Sequence, residues 1–283
     1  RELGGRFLRL FEKQGSVVSN EELEQRFHNN SRFSASNLDL SRIPGSSVAY
    51  WIPYLRVFEL DKVSDEMFSG GRIKTHDGPK YLRFSWEISR ASERWRLIVK
   101  GGDYRKHGGN EEFVVDWSTE ALAFYESKGG MYPERFVGQE GICWSKITSA
   151  TPSFRIKRSL SEYDSASPTI FNDQYRCDGF FLALLNSPIA ISLLKGINPT
   201  LNTQVADVLA LPVCKSDKDL RVRIGATEEH LIQVALGDWD AYERSWDFQS
   251  FPLLTASSEP SPTLESSYTA RITQNRATIA EMK

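Results

Sequence analysis

The chain has 283 residues, of which 40% are hydrophobic, 25% charged and 12% aromatic, and its formal net charge at pH 7 is −2. This composition is close to ordinary globular usage, and it excludes a collagen, a wholly disordered chain and a pure coiled coil. The length predicts about two domains at ~150 residues per domain, and no apolar run approaches the ~18 residues that a membrane-spanning helix needs.

The N-terminal residues 1–45 are predicted to form a helical connector. Apolar residues recur at helical spacing between positions 2 and 14. Ser19, followed by Asn and two glutamates, is typical of a helix N-terminus and predicts a second helix that ends near His28. The polar stretch 29–37 predicts turns. The chain begins with arginine and has no signal segment, so we expect it to be a piece of a longer protein.

The middle of the chain, 46–215, is predicted to be one strand-rich domain. Short apolar or alternating runs separated by Gly, Ser, Asp and Asn are typical of strands. The long apolar segment 180–195 predicts a buried internal helix, which Pro188 must kink or split. The predicted strands are 81–88, 95–100, 113–117, 141–147, 169–171 and 208–212.

The C-terminal residues 216–283 are predicted to be acidic and helical. Residues 217–247 contain four basic and eight acidic side chains, so we expect this part to face away from nucleic acid. A helix is predicted over 227–245, then a Ser/Pro linker over 257–262, and then a helix over 263–283 that the end of the chain truncates. The predicted fold class is therefore mixed α/β (α+β), with helical segments flanking a strand-rich domain.

Positive charge is concentrated in the middle of the chain. Between Arg72 and Arg158 there are 16 Lys and Arg against 11 Asp and Glu, whereas the remainder has 19 against 26. A basic segment between acidic flanks is an asymmetry that favours a polyanionic partner.

The cysteines and histidines are scattered. Cys143, Cys177 and Cys214 are widely spaced, and their odd number is typical of reduced thiols rather than disulfides or a zinc cluster. No two histidines have the i, i+4 spacing of a helical metal site. We therefore expect no metal site, and we expect a cytoplasmic compartment, where thiols stay reduced.

Sequence motifs of known enzymes are absent. The chain has no phosphate-binding loop, no nucleophile elbow, no Gly-x-Gly-x-x-Gly and no His-Glu-x-x-His. The tripeptide 198–200, Asn-Pro-Thr, superficially resembles the Asn-Pro-Pro-Tyr loop of amino-methyltransferases, but it lacks the second proline and the aromatic residue. We interpret it as a turn, and we expect no catalytic residue in this chain.

Two loops combine glycine with basic residues. Residues 100–110 contain four glycines and three basic residues besides tyrosine, histidine and asparagine, and residues 69–77 are similar. Glycine lets the backbone approach a ligand closely, and basic side chains suit phosphate oxygens or guanine edges. The alternative is an exposed hairpin that the glycines merely turn, and the residues alone do not decide between the two.

Several blocks in the same order resemble a known family. The segment 184–213 has Leu-Leu-Asn-Ser, an Asn-Pro-Thr-Leu-Asn turn and an apolar run ending at proline, and it resembles the specificity region of TaqI-like adenine-N6 DNA methyltransferases. Blocks 101–106, 141–147 and 238–248 are similar to the PglX methyltransferases of BREX phage-defence systems. The similarity runs from about Pro44 to the end of the chain.

One loop departs from the family pattern. Family members carry a Gly-x-x-Thr-Gly-Asp-Asn-like loop where this chain has residues 71–78, and His76 stands in place of the expected glycine. The role of this loop is therefore less well defined by the resemblance than that of the other blocks.

The resemblance implies a restriction-modification-like role in phage defence. This chain would be a DNA target-recognition domain that binds double-stranded DNA and positions an adenine for the enzyme's own N-terminal methyltransferase domain. That domain would transfer the methyl group of S-adenosylmethionine to N6. The family's cofactor and catalytic motifs lie upstream and do not occur in residues 1–283, so we expect this chain alone to be non-catalytic and without a cofactor.

Other partners and other functions stay open. Further partners implied by the resemblance are other defence-system proteins and a phage DNA-mimic inhibitor, and no membrane is expected. The alternative function is a protein–protein docking module of the defence complex, for which the acidic C-terminal part would be suited. A self-contained hydrolase or nuclease is the least favoured alternative.

The candidate DNA-binding residues are basic or amide side chains of the predicted loops and strands. Asn202 and Gln204 have capping of the local turn as their alternative role, and Trp144 is expected in the core rather than in stacking on a base. The candidates for direct contact are Arg105, Lys106, His107, Asn110 and Lys146, those for phosphate contact are Arg72, Lys74, Arg155, Lys157 and Arg158, and Asn202 and Gln204 complete the set.

Overall fold

The structure is a computed structural model that describes residues 3–10, 19–254 and 263–282. Within these residues, helices and small sheets form a mixed α/β fold, as predicted. Apart from short 3₁₀ turns, the elements are β1 (Gly4–Leu8), α1 (Asn20–Asn29), β2 (Arg32–Ser36), α2 (Asn37–Ser41), β3 (Phe68–Ser69), α3 (Gly78–Tyr81), β4 (Leu82–Phe84), β5 (Trp95–Val99), β6 (Phe113–Asp116), α4 (Thr119–Ser127), β7 (Gly141–Trp144), β8 (Phe154–Lys157), β9 (Ser161–Tyr163), β10 (Thr169–Phe171), α5 (Gly179–Asn186), α6 (Pro188–Ile197), α7 (Val205–Leu209), α8 (Lys218–Trp239) and α9 (Leu264–Glu281).

The chain divides into two compact units, with a boundary between them at the predicted position 215, whereas position 45 lies inside the first unit. Unit 1 comprises Arg1–Asp65, Pro188–Thr200 and Ala206–Lys215. Unit 2 comprises Glu66–Ser187, Leu201–Val205 and Ser216–Lys283. The acidic C-terminal part therefore groups with the strand-rich middle. The predicted linker 257–262 lies outside the described residues.

The N-terminal part of unit 1 is a two-stranded antiparallel sheet followed by short helices. β1 pairs with β2, with Phe7 opposite Phe33, and the ring of Phe7 stacks on Tyr50 at 4.6 Å. The predicted helix over 2–14 is wrong at Gly4–Leu8, and the predicted turns over 29–37 contain β2. Two consecutive glycines weaken a helix, and the cross-strand aromatic pair stabilises the sheet instead.

Helix α1 and the split apolar helix are confirmed. Ser19 caps α1, since its hydroxyl accepts a hydrogen bond from the backbone N–H of Glu22 at 3.2 Å. The apolar helix is split at Pro188 into α5 and α6. The predicted strand 208–212 is wrong, because α7 occupies its beginning. A short apolar run does not distinguish a buried strand from a buried helix by its periodicity.

Unit 2 contains two four-stranded sheets. One has the order β3-β10-β7-β8 and is antiparallel throughout, and the other has the order β4-β6-β5-β9, with β5 and β9 parallel. Four predicted strands correspond to β5, β6, β7 and β10, whereas only Leu82–Phe84 of the predicted strand 81–88 is extended.

A buried aromatic cluster supports the end of β9, where the two sheets meet. Tyr163 stacks on Tyr132 with ring centroids 4.8 Å apart and packs with Ile73, Cys143 and Phe171. Burial raises the pKa of the Tyr163 hydroxyl. The turn 163–168, which follows this cluster and is called the central turn below, is thereby held rigidly at its start.

Among the described residues, no single helix is long and apolar enough to cross a membrane, and α5 and α6 would meet that requirement only if taken together.

Candidate functional site

The loop 100–110 joins β5 to β6 and is tied to neighbouring helices. The guanidinium of Arg105 contacts the Asp238 carboxylate at 2.6 Å and lies over the Trp239 ring of α8 at 5.1 Å. Lys106 Nζ donates a hydrogen bond to the carbonyl of Asn186, the last residue of α5, at 2.9 Å. Both cations are therefore occupied within the chain.

His107 and Asn110 are buried and shape the same loop. Both have left-handed backbones, with φ of 67° and 65°. His107 Nδ1 lies 2.5 Å from a carboxylate oxygen of Glu228 on α8, and its backbone bridges to β8. Asn110 Nδ2 donates to the carbonyl of Asp103 at 2.7 Å. These contacts hold the loop in one conformation.

The glycines at 108 and 109 serve packing rather than ligand approach. A Cβ atom on Gly108 would lie 2.9 Å from the side chain of Leu236, and one on Gly109 would lie 3.2 Å from the Trp239 ring. Gly109 also has a φ of 104°. The loop therefore lies directly against α8, and only 102–104 at its tip is exposed.

The predicted cations of β8 lie inside unit 2. Arg155 and Lys157 have no exposed surface. Arg155 Nη2 donates to the carbonyl of Gly101 at 2.7 Å, while its Nε and Nη1 have no hydrogen-bond partner among the described residues. Lys157 Nζ donates to the carbonyl of Gln139 at 2.6 Å, and burial lowers its pKa, although the Glu162 carboxylate opposes the shift. In this arrangement neither side chain is accessible to a phosphate.

Arg158 is occupied by two carboxylates. It forms ion pairs with Glu111, which is buried, and with Asp247 at 2.8 Å. Burial lowers the pKa of Arg158, but these two carboxylates outweigh it and hold the pKa above its usual range. The third cation predicted near the end of β8 is therefore also part of an internal network.

Three of the predicted cations have no side-chain partner within the part of the chain that the structure describes. Among the described residues, the side chains of Arg72, Lys74 and Lys146 have no ion-pair or hydrogen-bond partner. Arg72 and Lys74 are exposed, and Lys146 is half-buried. These are the predicted cations that remain available to a phosphate group.

Their backbones converge on the central turn. Ile73, between Arg72 and Lys74, donates its N–H to the carbonyl of Tyr163 at 3.1 Å, and Lys146 donates its N–H to the carbonyl of Ala166 at 2.9 Å. Tyr163 and Ala166 are three residues apart in the chain. Even a fully extended chain of this length spans at most about 11 Å. The two loops are therefore neighbours at one edge of unit 2.

Lys100 adds a paired cation to the same edge. Its Nζ lies 2.7 Å from Asp164 of the central turn. The base of the glycine-rich loop is also close, since the Ser145 hydroxyl donates to the carbonyl of Gly102 at 2.9 Å. Residues 69–77, 100–110 and 141–147, which were singled out in the sequence, therefore meet around the central turn.

The segment 184–213, which resembles the methyltransferase specificity region, joins them through residues 201–205. Thr203 donates its N–H to the carbonyl of Lys146 at 2.8 Å, and Asn202 bridges to Ile147. Asn202 and Gln204 are half-buried beside this pairing. Trp144 is fully buried, and its Nε1 donates to the Thr203 carbonyl at 3.0 Å, so it belongs to the core as expected.

Three exposed apolar side chains in these segments were not singled out from the sequence. Ile147 is 70% exposed, Leu201 61% and Tyr104 53%. Strand alternation predicts Ile147 on the same face as Cys143, but β7 ends at Trp144 and the residues after it leave the strand. The sequence carries no signal for this early end.

No metal site is evident within the described ranges 3–10, 19–254 and 263–282, where no three His, Cys, Asp or Glu side chains are arranged to hold an ion. A cleft of about 600 Å³ lies beside α8 and α9 and has mostly polar walls that include Asp240, Asp247 and Arg271. It contains none of the predicted DNA-contacting residues.

Sequence comparison confirms the resemblance. No protein-family model matches the chain. It is 27% identical over 249 residues to the adenine-specific methyltransferase PglX of Lacticaseibacillus casei (strain Zhang), covering 79% of this chain and 20% of that protein. It is 25% identical over 231 residues to the adenine-specific methyltransferase BrxX of Escherichia coli O9:H4 (strain HS), covering 76% and 18%. The chain thus spans about a fifth of the length of these relatives.

A structural comparison finds the type IIL restriction-modification enzyme MmeI in complex with DNA. The TM-score is 0.44 at 12% sequence identity, over 77% of this chain and 32% of the other. This similarity is too low to establish a common fold.

Proposed function

We propose that this chain, a relative of the adenine-specific methyltransferases PglX and BrxX, is the DNA target-recognition region of an adenine-N6 methyltransferase of a BREX-type defence system. The observation that carries the proposal is the edge around the central turn. Arg72, Lys74 and Lys146, which have no side-chain partner among the described residues, lie at this edge with the amide side chains of Asn202 and Gln204. Cations of this kind suit DNA phosphates, and amides suit adenine edges.

The chemistry is assigned to another part of the parent enzyme. The matched region makes up only about a fifth of each relative, and the 283 residues contain neither a cofactor-binding glycine motif nor an Asn-Pro-Pro-Tyr loop. The parent enzyme would extrude an adenine and methylate it with S-adenosylmethionine in its N-terminal domain. This chain would hold the duplex and select the site, without a cofactor of its own.

The roles of the candidate residues follow from their surroundings. Arg72, Lys74 and Lys146 would contact phosphates, and Asn202 and Gln204 would approach base edges. The remaining candidates would act indirectly by fixing the shape of the edge, because their side chains are engaged within unit 2 or buried there. These supporting residues are Arg105, Lys106, His107, Asn110, Arg155, Lys157 and Arg158.

The test is the salt dependence of duplex binding by a triple variant, Arg72→Ala with Lys74→Ala and Lys146→Ala. Each lost phosphate contact reduces the slope of log affinity against log salt by ~0.9. We expect the triple variant to bind more weakly, with a slope shallower by up to about 2.7 units. The matched control is Arg276→Ala, which removes an exposed cation from α9 and should change neither quantity.

An unchanged slope in a folded triple variant would contradict the proposal. Folding is checked by circular dichroism and by the thermal unfolding midpoint. Since all three side chains lack partners among the described residues, we expect the midpoint to stay close to that of the wild type.

A second candidate function, protein docking within the defence complex, is favoured by one feature of α9. Leu264, Tyr268 and Ile279 are all more than half exposed and recur on one side of this helix. The partner would be the remaining part of the parent enzyme. If the chain binds duplex DNA and this binding weakens as salt rises, DNA recognition is favoured. If it binds a partner protein instead of DNA, and this binding does not change with salt, docking is favoured.

A further inference from the structure

Three aromatic rings are stacked in series beside the edge strand β4 of unit 2. Phe84 in β4 lies opposite Phe113 in β6, and their ring centroids are 4.8 Å apart with 28° between the planes. Trp86 stacks on Phe84 at 4.5 Å with only 8° between the planes. Phe113 and Trp86 make no ring contact with each other among the described residues, which places them on opposite faces of the Phe84 ring. These three residues are called the ring stack.

The Trp86 end of the ring stack is open. Phe113 is partly buried against the core of its sheet, whereas Phe84 is 37% exposed and Trp86 is 51% exposed. Phe84 covers one face of the Trp86 indole, and within the described ranges no other ring and no cation lies over Trp86. A side chain that is half exposed although one of its faces is covered has its other face in solvent. The ring stack therefore presents a flat aromatic surface at its outer end.

The backbone holds this surface in place. The N–H of Phe84, the last residue of β4, donates to the Glu87 carboxylate at 2.8 Å and closes the 3₁₀ turn that carries Trp86. Ser85 in the same turn donates its N–H to the carbonyl of Glu112, next to β6, at 2.8 Å. A partner that binds the indole would thus pay little for ordering the protein.

Positive charge accompanies the ring stack. Residues 82–90 contain two arginines, Arg83 and Arg90, against one acidic residue, Glu87. Arg83 donates to two backbone carbonyls at 2.7 and 2.6 Å, and Arg90 donates to the carbonyl of Phe248 at 3.4 Å. Neither arginine has a carboxylate partner among the described residues, and a neutral carbonyl leaves the charge of an arginine uncompensated.

A partner that matches these features has a planar ring and a negative charge close to it. An unpaired nucleotide has both, since its base can stack on the indole and its phosphate can approach an arginine. An aliphatic segment of a protein would require neither a flat ring nor a positive charge. The parallel geometry of the ring stack and its charge therefore favour a nucleic-acid strand.

We propose that the ring stack is a platform on which an unpaired base of a DNA strand stacks against Trp86, with a phosphate of that strand near Arg90. Every base has a π-face, so such a platform tolerates different sequences. An enzyme that extrudes a base creates unpaired nucleotides in its substrate, which would supply the strand in the proposed parent enzyme. The platform goes beyond the proposed function, because it contains none of the residues assigned to duplex DNA around the central turn.

The test is the binding of a short, fluorescently labelled oligothymidine strand, in which every base is unpaired. We expect the wild-type chain to bind it and Trp86→Ala to weaken this binding by about 5- to 150-fold, because the ring on which a base stacks is lost. Trp86→Phe should retain most of the affinity. Trp86→Leu keeps an apolar side chain but not a planar ring, and it should behave like Trp86→Ala. Tyr268→Ala, which removes an exposed aromatic side chain from α9, is the matched control and should bind like the wild type.

Arg90→Ala tests the phosphate contact. A phosphate contact on a single strand contributes ~0.7 to the slope of log affinity against log salt. We expect this slope to become shallower by about that amount in Arg90→Ala and to stay unchanged in Trp86→Ala. An unchanged slope in Arg90→Ala would overturn the contact between Arg90 and phosphate.

Binding of an intact duplex, measured in parallel, separates the platform from the proposed function. Trp86→Ala should bind the duplex like the wild type. Absence of wild-type binding to oligothymidine, or wild-type affinity for it in Trp86→Ala or Trp86→Leu, would overturn the platform and leave duplex recognition standing. Binding of oligothymidine without binding of the duplex would contradict the proposed function and support the platform. If circular dichroism shows that Trp86→Ala does not fold, Trp86→Leu gives the same comparison, since it keeps an apolar contact with Phe84.

Discussion

Arg105 is positioned for structural support rather than for DNA contact. Its guanidinium is enclosed by a carboxylate, an indole ring and the carbonyl of Ala235 on α8, the last at 3.4 Å. From sequence, an arginine in a glycine-rich loop is equally compatible with phosphate binding, since the partner Asp238 is 133 residues away. The long-range ion pair decides between the two roles.

We expect Arg105→Ala to lower the free energy of unfolding by about 1–2 kcal/mol, because it removes a partly exposed ion pair and a cation–π contact. Urea unfolding measures this loss, and Arg276→Ala, an exposed α9 position, serves as the control with little change. Duplex affinity and its salt slope should stay near those of the wild type. Unchanged stability together with a shallower salt slope would show that Arg105 contacts phosphate.

At the scale of elements, the contact between loop 100–110 and α8 holds the loop whose base lies at the edge around the central turn. Arg105 and His107 each pair with a carboxylate of this helix, and Gly108 lies against Leu236. The acidic charge of α8 therefore has a specific use, since Asp238 pairs with Arg105 and Glu228 lies within hydrogen-bond distance of His107. The net negative charge of 217–247 predicted a surface turned away from DNA, but it did not show this pairing.

We expect Gly108→Ala to destabilise the protein by about 1–3 kcal/mol, since its new methyl group would lie 2.9 Å from the Leu236 side chain. Gly237→Ala is the matched control: nothing lies within 4 Å of its Cβ position, and alanine favours the helix interior by up to about 1 kcal/mol. Leu236→Ala should offset part of the Gly108→Ala loss in a double-mutant cycle. Equal stability of the two alanine variants would show that the loop does not press against α8.

Elements with a local signal were predictable, whereas contacts distant in sequence were not. Ser19 and Pro188 mark α1 and the break after α5 by the chemistry of capping and of proline. The sheet of Gly4–Leu8 depends on a partner strand further along the chain, with Gly4 opposite Ser36 and Leu8 opposite Arg32, and helical spacing alone did not reveal it. Arg155 looked like a phosphate contact for the same reason, because the sequence shows its charge but not its burial.

At the scale of the whole molecule, the local distribution of charge matters more than the net charge. The net charge is only −2, so long-range attraction to DNA is weak and binding must depend on a local surface. Several cations of the basic middle pair with carboxylates, and Arg155 and Lys157 are buried. Among the predicted DNA-binding cations, Arg72, Lys74 and Lys146 lack a side-chain partner within the described residues, and their backbones lie around one turn.

Hydrogen exchange with and without duplex DNA measures most directly whether this edge is the DNA-binding surface. At low salt, we expect peptides covering 72–76, 145–149 and 201–204 to exchange more slowly when DNA is bound, and those covering α9 to stay unchanged. The slowing should disappear in the Arg72→Ala, Lys74→Ala, Lys146→Ala variant. Protection confined to α9, or no protection at these three segments under conditions where DNA binds, would contradict the account.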